Sequence, residues 1–278
     1  MISYNPKSWW GLIFKFHKSD TFRRLLPAML TVALFTACIA YVDRGLWPDR
    51  LRSTNVVHSL LGFVISLLLV FRTNTAYERW WEGRRLWGAL VNASRNLALK
   101  LNAALPPGHP ARPRIALELA AYATTLKDHL RDAVPQTGPV RHAPNAVARR
   151  LFVEIEGLRR SGDLALEHSI NINAELTALT DVCGACERIK KTPIPYSYSL
   201  FLKKFIFVYI VTMPFTFVHE FGYWTALFST FMLYVLGSLE LIAEEVENPF
   251  GTDANDLPMD EMANTIAANV REILAPRE

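Results

Sequence analysis

Four glutamates crowd one short stretch, Glu240, Glu244, Glu245 and Glu247. Carboxylates at this density suit a di-metal centre or general acid–base work. Such a centre wants histidine partners on neighbouring helices, and none accompanies these, so solvated or ion-paired carboxylates are the simpler reading. His219 and Glu220 are adjacent, a pairing that suits catalysis or ion coupling, but they fall in a short connection between two apolar segments. Cys183 and Cys186 form a lone C-G-A-C. A metal site needs a second ligand pair and a thioredoxin-like site a βαβ context, so this pair reads as two small residues on a packed helix. The remaining pattern is longer. "FRTNTAYERWWEGRRLWG", 71–88, follows the apolar run "VVHSLLGFVISLLLV", yet it contains no proline and no glycine until Gly83. Phe63, Leu67 and Phe71 recur every four residues on one helix face, and Asn74 and Glu78 extend that stripe. A stripe that passes from apolar to polar along one helix suits a pathway crossing lipid and water. Periodicity alone favours the plainer alternative, a buried stripe in a helix bundle.

The elements that carry these residues follow from composition. The chain is 51% hydrophobic and 20% charged, which suits membrane spans with a sizeable aqueous portion. The net charge of +4 is modest, and the basic residues sit beside apolar segments, where they orient a membrane protein rather than bind nucleic acid. "MISYNPKSWWGLIFKFHKSD" has no uninterrupted apolar core, so no cleavable signal is expected.

Spans need roughly 20 apolar residues in helix. Four are expected, at about 25–42, 56–71, 201–218 and 221–242. Lys7, Lys15, Lys18, Arg23 and Arg24 precede the first, and Arg72, Arg79, Arg84 and Arg85 follow the second. "HEFGY", between the third and fourth, has no Lys or Arg, which orients both termini to the cytoplasm. Arg44, Arg50 and Arg52 in the first-to-second loop argue the other way, with Asp43 and Asp49 beside them.

Residues 72–200 read as a helical aqueous block. "RIALELAAYATTLKDHL", "AVARRLFVEIEGLRR" and "INAELTALTDVCGACERIKK" have helical apolar spacing. A Pro-rich loop, "AVPQTGPVRHAPNAV", separates the first two, and "TPIPY" ends the last. The second span is expected to continue to Lys100. No strand pattern appears.

Three motifs together resemble the bacterial branch of the bestrophin family. "FRTNTAYERWWEGRRLWG" is similar to its sequence after the second span, "CERIKKTPIPYSYSL" to its lead into the third, and "EEVENPFGTDANDLPMDEM", 244–262, to its signature after the fourth. The resemblance covers nearly the whole chain. It implies an all-α membrane protein: four transmembrane helices per subunit plus a cytoplasmic helical block, assembled as a homopentamer around one central pore in the cell inner membrane. The organisation is then a cytoplasmic segment 1–24, spans 25–71, a cytoplasmic helical region 72–200, spans 201–243 and a cytoplasmic tail 244–278. By position, the apolar neck falls on Phe63, Leu67 and Phe71, with Asn74 and Glu78 lining the pore beyond it.

The family's second constriction, at the cytoplasmic exit, falls on Glu167, where an apolar residue is usual. Either this exit is charged or the alignment slips and Ile170 forms it. A charged ring leans selectivity towards monovalent cations, with a chloride-selective channel as the alternative. In eukaryotic members the acidic stretch helps to bind calcium. Here Asp253, Asn255, Asp256 and Asp260 match only in part, which suits capping or subunit clasping as well, and no metal or other cofactor is expected. The expected partners are other copies of the chain, membrane lipid and monovalent ions. Trp80, Trp81 and Trp87, beside Arg79, Arg84 and Arg85, suit subunit contacts, with packing inside one subunit as the alternative. A membrane-embedded enzyme or transporter using His219, Glu220 or the late glutamates is the competing class. It lacks the convergent titratable groups or the repeat symmetry that class requires.

Overall fold

A computed structural model describes residues 20–46, 55–133 and 142–275. The sequence readings on Lys7, Lys15, Lys18, Asp49, Arg50 and Arg52, and on most of the Pro-rich loop, lie outside those residues. The described chain is helical, with no strand: α1 (Asp20–Tyr41) and a π turn (Val42–Leu46), α2 (Asn55–Ala104), α3 (Ala111–Leu130), α4 (Ala143–Ser161), α5 (Leu166–Lys191), α6 (Tyr196–Phe221), α7 (Trp224–Glu247) and α8 (Met259–Leu274).

α2 runs unbroken for 50 residues, about 75 Å at 1.5 Å per residue, four residues past the expected end. Its glycines mark close approaches. A Cβ at Gly62 would meet the Tyr209 hydroxyl at 2.9 Å, and one at Gly83 would meet the Phe250 ring at 3.2 Å and Leu257 at 3.3 Å. A larger residue at either position would have to displace these side chains, which favours glycine there despite its cost in a helix.

The described residues form two compact units. One holds the residues up to Glu78 with Pro193–Glu247; the other holds Arg79–Thr192 with the stretch from Asn248 onward. In the first, α1, α6 and α7 pack together and the N-terminal half of α2 joins them through Ile65, Leu69, Leu202, Ile206, Tyr209, Ile210 and Leu236. Four helices of the described chain, α1 with its π turn, α2, α6 and α7, are long and apolar enough to cross a membrane. Much of their apolar surface stays uncovered within one chain, such as Leu34 at 68% and Phe207 at 66% exposed. In water that surface would drive association or collapse, so it needs lipid or other protein against it.

The second unit has an ordinary leucine-rich core, with Trp87, Leu97, Leu119, Leu126, Leu151 and Leu179 buried. α4 shows why it folds there: Val147, Leu151, Ile155 and Leu158 share one buried face, and Gly162 ends the helix at φ 85°, a left-handed cap that favours glycine. Two arginines satisfy helix ends from the side. Arg112 donates Nη2 to the Asn102 carbonyl (2.6 Å) in the last turn of α2 and to the Leu105 carbonyl (3.1 Å) just beyond it. Arg79 donates to the Thr192 carbonyl (2.5 Å) and the Ile189 carbonyl (2.6 Å) at the end of α5.

Candidate functional site

α2 has two characters along its apolar half. Ile65, Leu69, Arg72 and Ala76 are buried in their own unit, while Phe63, Leu67 and Phe71 are 66%, 47% and 57% exposed. Asn74 and Glu78 are exposed on the same side of the helix. The stripe is thus no part of the chain's own core. Three apolar side chains standing out from a helix, followed by an amide and a carboxylate, form a surface that a second protein copy or a water-filled passage can meet.

Behind the stripe lies a buried charge cluster. The Arg72 side chain is 1% exposed; its Nη1 lies 2.8 Å from Glu247 Oε2 and its Nε 3.4 Å from Glu240 Oε2. Glu247 Oε1 accepts the backbone N–H of Ile194 at 2.8 Å. One guanidinium therefore ties α2 to α7 and to the turn before α6. An isolated charge here would cost several kcal/mol, roughly, which the paired carboxylates offset. The other late glutamates are paired too, Glu244 with Lys203 at 3.0 Å and Glu245 with Arg24 at 3.1 Å. Each of the four engages a cation of the same unit, an arrangement of ion pairs and not a di-metal site.

His219 and Glu220 are exposed on the last turn of α6, which extends to Phe221, so only Gly222 and Tyr223 connect α6 to α7. Glu220 Oε1 accepts from Asn55 Nδ2 at 2.6 Å, joining the start of α2 to the end of α6.

In the second unit, Glu167 and Ile170 stand on the first turns of α5, both exposed, Ile170 at 64%. Three residues apart on a helix, they share a face. Cys183 and Cys186 are free thiols buried on the same helix. Burial raises them to about 11 and about 12, so they stay protonated and unreactive at neutral pH.

The tryptophan reading needs correction. Trp87 is fully buried in its own unit's core, and Trp80 Nε1 donates to the Asn255 carbonyl at 2.9 Å, where the chain after Asn248 lies against α2. Trp81, Arg84 and Arg85 remain exposed.

In the acidic stretch, Asp256 is buried and accepts the backbone N–H of Asp253. Asp260 accepts from Lys127 at 2.8 Å and Arg131 at 2.7 Å, which hold its carboxyl below the usual range. These carboxylates shape the turn into α8 and fasten it to α3.

A cluster absent from the sequence reading joins His129, His142 and Glu187. Glu187 Oε1 lies 2.6 Å from His129 Nε2 and 2.7 Å from His142 Nε2. The three come from α3, the residue before α4, and α5, at sequence separations that no motif describes.

The family model described as "Bacterial/Fungal Bestrophin protein" matches residues 1–272. The voltage-dependent anion channel-forming protein sll1024 of Synechocystis is 34% identical, across 98% of this chain and 94% of that protein. The voltage-dependent anion channel-forming protein YneE of Escherichia coli is 32% identical, across 98% and 94%. A crystallised variant of the bacterial bestrophin homolog from Klebsiella pneumoniae superposes with a TM-score of 0.84 at 32% identity, covering 91% of this chain and 99% of that one. The chain belongs to the bacterial bestrophin family, whose members are ion channels rather than enzymes.

Proposed function

We propose that the chain assembles as a homopentamer around one pore, with the α2 stripe as its neck, and that it conducts small monovalent anions across the inner membrane. The observation that carries the reading is the exposure of Phe63, Leu67 and Phe71 on α2. A single stripe encloses nothing, and cyclic repetition is the usual way to close such a surface. Rings of Phe and Leu offer no ligands for an ion's hydration shell, so the neck restricts flow by fit and by dewetting. The four apolar helices cross the bilayer, both termini and the helical region 72–200 are cytoplasmic, and Asn74 and Glu78 line the path beyond the neck.

Selectivity for anions rests on the relatives: sll1024 and YneE are both named as anion channel-forming. Arg72 is not the anion filter, since its charge is occupied by Glu240 and Glu247. The exposed carboxylate of Glu167 favours the second reading, a cation-leaning exit. The test is a reversal potential in a planar bilayer under an asymmetric potassium chloride gradient. A value close to the chloride equilibrium potential supports the proposal; a value close to that of potassium rejects anion selectivity, and an absence of unitary currents rejects the channel.

A further inference from the structure

We propose that His129, His142 and Glu187 form a binding site for a divalent transition-metal ion of the zinc class. Their ligand atoms, two imidazole nitrogens and one carboxylate oxygen, all lie within 4.8 Å of one another. Both Nε2 atoms point at the same oxygen, and the two rings are 4.7 Å apart at 41°. A zinc ion holds imidazole and carboxylate ligands at roughly 2.0–2.2 Å, which spaces them about 3.3–3.5 Å from each other, so each hydrogen-bonded pair opens by less than about 1 Å to admit the ion. Two nitrogens and one oxygen suit zinc; calcium and magnesium take oxygen ligands. The side chains of His129, His142 and Glu187 are 12%, 31% and 17% exposed, so water reaches the site and can supply a fourth ligand.

The surroundings set the strength and the consequence of binding. Lys191 Nζ lies 3.4 Å from Glu187 Oε2, which leaves Oε1 as the ligating oxygen and opposes the ion's charge. Lys190 Nζ donates to the His129 carbonyl at 3.3 Å and pairs with Asp132 at 2.6 Å. His142 Nδ1 accepts the backbone N–H of Asn145 at 3.1 Å and caps α4, so the metal-free ring carries its proton on Nε2. Coordination of the neutral ring through Nε2 requires the other tautomer, with its one proton on Nδ1, and a protonated Nδ1 no longer accepts from Asn145. The ion therefore exchanges the cap of α4 for a cross-link among α3, α4 and α5.

The experiment uses tag-free, full-length protein in detergent, stripped with EDTA and titrated with zinc against a chromophoric chelator. One zinc per subunit is expected. Glu187→Gln and His142→Asn each weaken it at least about tenfold. Asparagine is itself a good helix cap, so His142→Asn removes the ligand and keeps the metal-free melting temperature near that of the wild type. Zinc raises the melting temperature of the wild type and not that of His142→Asn. Zinc uptake by both variants equal to that of the wild type, or no uptake by the wild type, overturns the site and leaves a hydrogen-bonded triad. Neither result depends on conduction.

Discussion

Arg72 shows how much a single side chain can hold in this protein. It has two carboxylate partners and almost no exposure. Arg72→Ala leaves Glu240 and Glu247 without their cation and is expected to cost roughly 3–5 kcal/mol, read as a lower melting temperature and poor recovery from detergent. The double variant Arg72→Met with Glu247→Gln recovers part of that loss, because it removes a buried charge along with its partner. Leu67 is a residue of the opposite kind: it is half-exposed in one chain, and its role belongs to the proposed assembly. In the proposed pentamer Leu67→Ala would widen the middle ring of the neck, and it is expected to raise unitary conductance or open probability. Single-channel currents equal to wild type from Phe63→Ala, Leu67→Ala and Phe71→Ala alike would put the neck elsewhere.

At the scale of the element, α8 is the informative case. It reads as a polar tail by composition, yet Met259, Ala263, Ile266, Val270 and Leu274 recur at helical spacing and bury one face against the second unit's core. The signal was legible but weak, because acidic residues surround it. Asp260 anchors its first turn through Lys127 and Arg131, whose hydrogen bonds lower its pKa. A carboxyl lowered on folding contributes stability that is complete above its unfolded value, about pH 4, and is lost as pH falls through the folded value. The side chain is 58% exposed, so the contribution is modest. Asp260→Asn should lower the melting temperature slightly at pH 7, and the gap from wild type should close below about pH 4. A gap that persists unchanged in acid would assign the effect to packing.

For the whole molecule, the uncovered apolar surface of α1, α2, α6 and α7 is the feature that must be resolved by surroundings. Native mass spectrometry in detergent is expected to give five copies; a monomer or dimer as the only species would remove the pore. Glu167 and Ile170 share one exposed face at the start of α5, so the two readings of a pore exit in the proposed pentamer describe one surface. Glu167 also lies where the positive end of the helix dipole partly offsets its charge. Glu167→Gln should shift the reversal potential further towards chloride. An unchanged value in a conducting variant would take this carboxylate out of the selectivity account.

The helices, the apolar segments and the family were determined by local sequence. Periodicity, the prolines at 193 and 195 and three ordered motifs depend only on residues close in the chain. The stripe of Phe63, Leu67 and Phe71 was visible for the same reason, since one helix face is a local property. Which side of α2 faces its own chain was decided by tertiary packing: Trp87 is buried in the second unit's core and Trp80 donates to a carbonyl beyond Asn248. The partners of Arg72 and the meeting of His129, His142 and Glu187 belong to the same class. Contacts between residues 168 or 58 positions apart leave no periodic trace, so only the folded backbone brings those charges and nitrogens within bonding distance.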